Sequence, residues 1–175
     1  MSLKLLQASL LGQYEASLAM LKEAIERCPP AAWDEPVARW SPRRIAWHTL
    51  TCTNYYLGQD EAAFEPHALY EEGLAENRSD PPIGLTVSRT LDYVEFCFEK
   101  LRRVISDETI ESLSAPTGFE RGFSRLEMHI YNLRHVQHHV GQLSAHVRRH
   151  DPDLAEEAMD WIDTGAVWPP PGSKD

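Results

Sequence analysis

Val87, Leu91, Val94, Phe98, Leu101 and Ile105 recur at alternating steps of four and three residues without interruption. Only an α-helix gathers such a spacing into one apolar stripe, because it turns once every ~3.6 residues. Leu3, Leu6, Leu10, Tyr14, Leu18, Leu21 and Ile25 repeat the pattern across residues 2–27. Cys28-Pro29-Pro30 ends that helix, since proline lacks the amide proton and pushes the residue before it out of the helical region. In Trp40-Ser41-Pro42, Ser41 is an N-cap and Pro42 the first helical residue, which starts a second helix running to about Asp60. Ser124, with Glu127 three residues on, is a capping box for a helix that continues through Gly141 to about Arg149. No segment alternates with period two for long, and there is no internal repeat. The expected class is all-α, a four-helix bundle.

Between the second and third helices, residues 61–85 have no sustained period and contain Pro66, Pro81 and Pro82. A connection this long carries function, crosses over the fold or contains a short helix. Asp151-Pro152 reads as the start of a short C-terminal helix ending near Gly165, and the proline-rich tail, 166–175, is expected to lie across the surface. Residues 1–165 then form one domain.

A chain of 175 residues with 42% hydrophobic residues suits a single domain with one sizeable core. Its 17 Lys and Arg against 27 Asp and Glu leave a net charge of −10, which repels phosphate backbones and anionic lipid. Nucleic-acid and membrane binding are not expected. Cys28, Cys52 and Cys97 are an odd set without CxxC spacing, which suits a reducing compartment better than a disulfide framework. Gln7, Gln13, Tyr14 and Glu15 break any signal-peptide core, and no run approaches the ~18 apolar residues of a membrane span. The reading is a soluble, cytoplasmic protein.

The chemistry is concentrated in the histidines. Six of the eight lie from residue 129 to residue 150. Positions four apart on a helix differ by only ~40° around the axis and ~6 Å along it, so two imidazoles so placed can converge on one ion. His135 and His139 have that relation, whereas His138 falls ~100° from His139 on the same reckoning. Met128, Tyr131, His135, Val136, His139, Val140, Leu143 and Val147 share one broad face, so both histidines point into the apolar interior. Two unpartnered polar rings there cost a few kcal/mol, a problem that a shared metal solves.

In the second helix the inward stripe is Ile45, His48, Cys52, Tyr55 and Gln59, which makes His48 the third ligand. Neutral imidazoles suit Zn, Ni, Cu or Fe. Three histidines plus water is an open, reactive site rather than a closed structural one. Cys52, one turn beyond His48, is either a fourth ligand, a thiol beside the metal, or a small core residue. His146 shares the stripe and lines the pocket at most, since ~10 Å of axial rise separates it from His139. His67, His129, His138 and His150 are expected to be structural or solvated. Tyr55, Tyr131 and Gln142 lie on the pocket-facing stripes, where they orient substrate or make core hydrogen bonds.

The run Leu133-Arg-His-Val-Gln-His-His-Val-Gly-Gln-Leu143 resembles the signature of the DinB/YfiT-like superfamily, with paired histidines followed by Gly-Gln. Trp40-Ser-Pro, Ile45-Ala-Trp-His48 and Tyr55-Tyr-Leu57 are similar to the same family's second helix. The likeness extends from the first helix to about residue 149. It implies a four-helix bundle with a crossover connection, often dimeric, with metal histidines at His48, His135 and His139. Members of that family often carry a basic residue after the last ligand, where this chain has Val140.

The family includes thiol-dependent S-transferases, an isomerase using a low-molecular-weight thiol, and metal-dependent hydrolases. The resemblance therefore implies a metal-dependent transferase or hydrolase acting on a small molecule, with Zn or Ni and a low-molecular-weight thiol as cofactors. The other reading is a non-catalytic, stress-linked interaction module whose metal is closed in by a fourth ligand such as Cys52. Apolar residues outside the stripes (Trp33, Trp40, Phe64, Leu69) also point to a homodimer.

Overall fold

A computed structural model describes residues 2–36, 39–69, 85–120 and 122–150. The described residues form five α-helices, namely α1 (Leu3–Glu26), α2 (Pro42–Leu57), α3 (Val87–Asp107), α4 (Ile110–Ser114) and α5 (Arg125–His150), with a 3-10 turn at Glu61–Ala63. The expected C-terminal helix and tail lie outside the described residues.

The helix starts are those the side chains encode. Ser41 Oγ accepts from the Arg44 amide with Pro42 in the first turn, which satisfies one of the amides that a helix start leaves without a partner. Ser124 Oγ accepts from the Glu127 amide at 3.2 Å, and Glu127 Oε2 accepts in return from the Ser124 amide at 2.9 Å. α2 ends at Leu57 rather than Asp60, because Gln59 takes a left-handed backbone (φ 61) just after the Gly58 cap. That turn sends the Gln59 side-chain amide inward to the His129 ring, Nε2 to Nε2 at 3.1 Å.

α1 and α2 each pack between α3 and α5. Lys22 with Glu95 and Arg102 with Glu15 show that α1 and α3 are antiparallel. α2 and α3 run parallel: Trp47 meets Tyr93, Cys97 Sγ contacts Leu50 O, and Lys100 Nζ donates to Asn54 O. Two adjacent parallel helices need a connection that returns along their full length. α2 has 16 residues, or ~24 Å of rise, and this is why the linker between α2 and α3 is long. α2 and α5 are antiparallel, since His48 meets His135 while Tyr56 meets Tyr131 and Gln59 meets Arg125. This last pairing builds the site.

The apolar stripes of α1 and α3 are buried as expected, with Tyr14, Leu18, Leu21, Val94 and Leu101 fully inside. Trp33 and Leu69 also belong to the core, Trp33 donating from Nε1 to Leu85 O at 3.1 Å, and Phe64 packs edge-on against Tyr55. Among the described residues, Trp33 and Leu69 are thus covered within the chain, and Trp40 and Phe64 are half-buried. At the far end of the bundle, Glu108 is buried and accepts from Arg125 through both carboxylate oxygens, from Ser112, and from the His129 ring at 3.2 Å. Tyr14 reaches the same histidine, donating from its hydroxyl to His129 O at 2.9 Å. Among the described residues no helix is long and apolar enough to cross a membrane.

Candidate metal centre

His48 stands two turns into α2, and His135 and His139 occupy successive turns in the middle of α5. Antiparallel packing brings the three rings together from two helices. Their centroids lie 5.1 Å (His48 to His135), 4.9 Å (His48 to His139) and 4.6 Å (His135 to His139) apart. Nε2 of His135 is 3.1 Å from Nε2 of His48 and 3.2 Å from Nε2 of His139. With metal–nitrogen bonds of ~2.0–2.1 Å, such separations subtend about 100° at a common ion, close to tetrahedral.

The protons are arranged to suit that use. His139 donates from Nδ1 to Gln142 Oε1 at 2.8 Å, which leaves the Nε2 lone pair facing the other rings. Burial lowers the His48 pKa to about 4, helped by His139 and by the Arg44 guanidinium. Burial likewise lowers that of His139, against the opposing effect of its bond to Gln142. Neutral imidazole is the form that ligates, so the pocket favours the ligand state over the cation. Three nitrogens converging with lone pairs inward repel one another unless a proton or a cation lies between them. A set of nitrogen donors grouped in this way could hold a metal ion.

Cys52 lies beside this group. Its Sγ is 3.7 Å from His48 Nδ1 and 3.9 Å from Nε2. Ligand atoms of His48, Cys52 and His135 all fall within 4.8 Å of one another. His48 and His135 are half-buried, while Cys52 and His139 are 7% and 5% exposed. The cluster thus sits in the α2–α5 groove, with one side toward solvent.

The remaining residues singled out in the sequence are distributed unevenly. Gln142 reaches the cluster through His139, and its Nε2 donates to Nε2 of the exposed His138 at 3.2 Å. His138 is therefore a neighbour of the converging nitrogens rather than one of them. Tyr55 donates to Glu61 Oε1 at 2.7 Å and packs on Phe119. Tyr131 lies against Tyr56 and Phe123. His146 is buried with Nε2 3.4 Å from Ala32 O, in contact with the α1–α2 connection rather than with the cluster. His129, expected to be structural or solvated, is structural: it is 1% exposed and held by Tyr14 and Glu108.

Two site neighbours, Trp40 and Tyr56, are not among the residues that the sequence assigns to the site. Trp40 packs on His48 with ring centroids 5.0 Å apart and lies nearly parallel to His139 at 6.4 Å, with the Arg44 guanidinium 5.1 Å over its ring. An apolar residue just before an N-cap commonly folds back over the first turns of its helix, which is the signal that could have found it. Tyr56 stands edge-on to His135 at 6.0 Å. Its place one residue beyond Tyr55 offers no distinguishing signal in a run of two tyrosines.

Comparison with known proteins places the chain in a family. A family profile described as the DinB superfamily matches residues 13–143, a span that contains His48, Cys52, His135, His139 and Gln142. No curated protein and no solved structure matches the chain. The matched span is about three quarters of the chain and takes in nearly all of the described bundle, so this protein belongs to the DinB superfamily.

Proposed function

We propose that this chain is a metal-dependent enzyme that acts on a small molecule, with His48, His135 and His139 holding a divalent transition ion, Zn or Ni by donor type. The convergence of three Nε2 atoms in a groove partly open to solvent carries this reading. An ion held there supplies Lewis acidity, favouring deprotonation of a low-molecular-weight thiol for transfer to an electrophile, or of water for hydrolysis. Around it, Gln142 holds the tautomer and the ring orientation of His139. Trp40 packs on His48 and lies nearly parallel to His139, with the Arg44 guanidinium over its ring, so an aromatic face and a positive charge border the cluster. Three buried free cysteines suit work in the reducing cytoplasm. Leu5, Ile110 and Ile130 are the large apolar side chains exposed among the described residues and the surface on which a homodimer would draw.

The test is a screen of small thiols with electrophilic acceptors, and of ester and amide substrates, using metal-loaded protein. Activity lost on chelation, restored by Zn or Ni, and absent from His135→Ala supports the reading. Stoichiometric metal without turnover of any thiol or hydrolytic substrate counts against it. That outcome favours a non-catalytic metal-binding module, the reading that the closeness of Cys52 to His48 and His135 supports.

A further inference from the structure

The three cysteines of this chain are all buried, but they face different partners. Cys28 Sγ is 3.9 Å from Pro29 O and Cys97 Sγ is 3.8 Å from Leu50 O. Those are the carbonyl contacts of core thiols. Cys52 Sγ has imidazole nitrogens among its neighbours, at 3.7 and 3.9 Å on His48 and within 4.8 Å on His135.

The helix geometry explains the difference. His48 and Cys52 are four residues apart on α2, and His135 and His139 are four apart on α5. Two such pairs on antiparallel helices face each other as a four-cornered set. His48 and His135 form the shared edge, with His139 on one side of it and Cys52 on the other. With metal–sulfur bonds of ~2.3 Å and metal–nitrogen bonds of ~2.05 Å, sulfur and nitrogen on one tetrahedral ion lie about 3.6 Å apart. The contact of Cys52 with His48 is already within a few tenths of an ångström of that.

We propose that Cys52 Sγ is itself a metal ligand, bound on the side of the His48–His135 edge opposite His139. The inference rests on the three-histidine reading above and goes further, to a mixed nitrogen–sulfur site. As the sulfur–metal bond forms, the thiol proton leaves to solvent water and no electron changes hands. A thiolate in the set makes the site softer, favouring Zn, Ni or Cu(I) over Mg or Mn. It also occupies the position that a substrate thiol would need, so an external thiol must compete with Cys52 for the ion.

The experiment is titration of the full-length, metal-free protein with cobalt(II) chloride, followed by absorption. The wild type should take up one equivalent, with visible ligand-field bands and a near-ultraviolet sulfur-to-cobalt charge-transfer band. Cys52→Ser and Cys52→Ala should keep the stoichiometry, the visible bands and the helical circular dichroism, and lose the charge-transfer band. Stoichiometric cobalt without that band in the wild type, or a band that persists in Cys52→Ser, overturns the proposal and leaves the three-histidine site standing. No stoichiometric cobalt in the wild type overturns both. Because the wild-type band is itself decisive against the proposal, the test survives a variant that fails to fold.

Discussion

Gln142 Oε1 accepts the Nδ1 proton of His139 at 2.8 Å, one turn along α5 from a residue whose other nitrogen faces two imidazoles. The bond chooses the tautomer and fixes the ring, which is what an outer hydrogen bond does for a ligating histidine. Gln142→Leu keeps the helix and removes the acceptor. Zn affinity measured by competition with a chromophoric chelator should fall roughly 10–100-fold, without loss of 1:1 stoichiometry. An unchanged affinity would show that the ring needs no such support.

The four neighbouring histidine positions separate cleanly. His48→Ala, His135→Ala and His139→Ala should each abolish stoichiometric metal in protein purified and dialysed against Zn, as read by elemental analysis. His138→Ala should retain it, because His138 is exposed and joined to the site only through Gln142. Retention in His135→Ala together with loss in His138→Ala would overturn the assignment.

Metal removal should lower the melting temperature at pH 7.5 without unfolding the chain. The stripes of α1 and α3 are buried independently of the cluster, as Leu18, Leu21, Val94 and Leu101 show. Zn at a hundred times its dissociation constant should add about 2.7 kcal/mol by mass action. Thermal melts with and without chelator measure this. A chelated protein that is unfolded at 25 °C would make the ion a structural staple and weaken the enzymatic reading.

Glu108 should govern the acid limb of stability. Burial raises its pKa, but hydrogen bonds from His129, Arg125 and Ser112 outweigh that and hold it at about 2, against 4.5 for the free side chain. A depressed folded pKa means that the unfolded chain takes up the proton first, so the stabilisation is complete above pH ~4.5 and is lost as pH falls toward 2. Its size is on the order of 3 kcal/mol. Urea midpoints of Glu108→Gln should lie well below wild type at pH 7 and converge with it near pH 2. A gap that stays constant across that range would mean that the carboxylate charge is not what matters.

Gly141 is exposed in α5, and among the described residues nothing lies within 4 Å of a Cβ placed there. Gly141→Ala should therefore stabilise the helix by about 0.5–1 kcal/mol. For a domain of this size that is a rise of roughly 1–4 °C in Tm. A fall in Tm would reveal that this face of α5 is covered.

What the sequence determined by itself is what depends on neighbours within a turn or two. Helical period, the Ser41 and Ser124 caps and the shared face of His135 and His139 follow from backbone geometry at steps of three and four residues. His48 was also legible, since its stripe in α2 has one imidazole to offer. The tertiary structure decided the rest, because it depends on which helices adjoin and in what register. The left-handed Gln59, which ends α2 early, is set by the distant ring of His129. Trp40 and Tyr56 join the site only because α5 lies antiparallel across α2. The same packing brings a His135 nitrogen within 4.8 Å of Cys52, whose contact with His48 is already set by their spacing on α2. Local periodicity places a side chain on a face of its own helix, and only the packed bundle determines what that face meets.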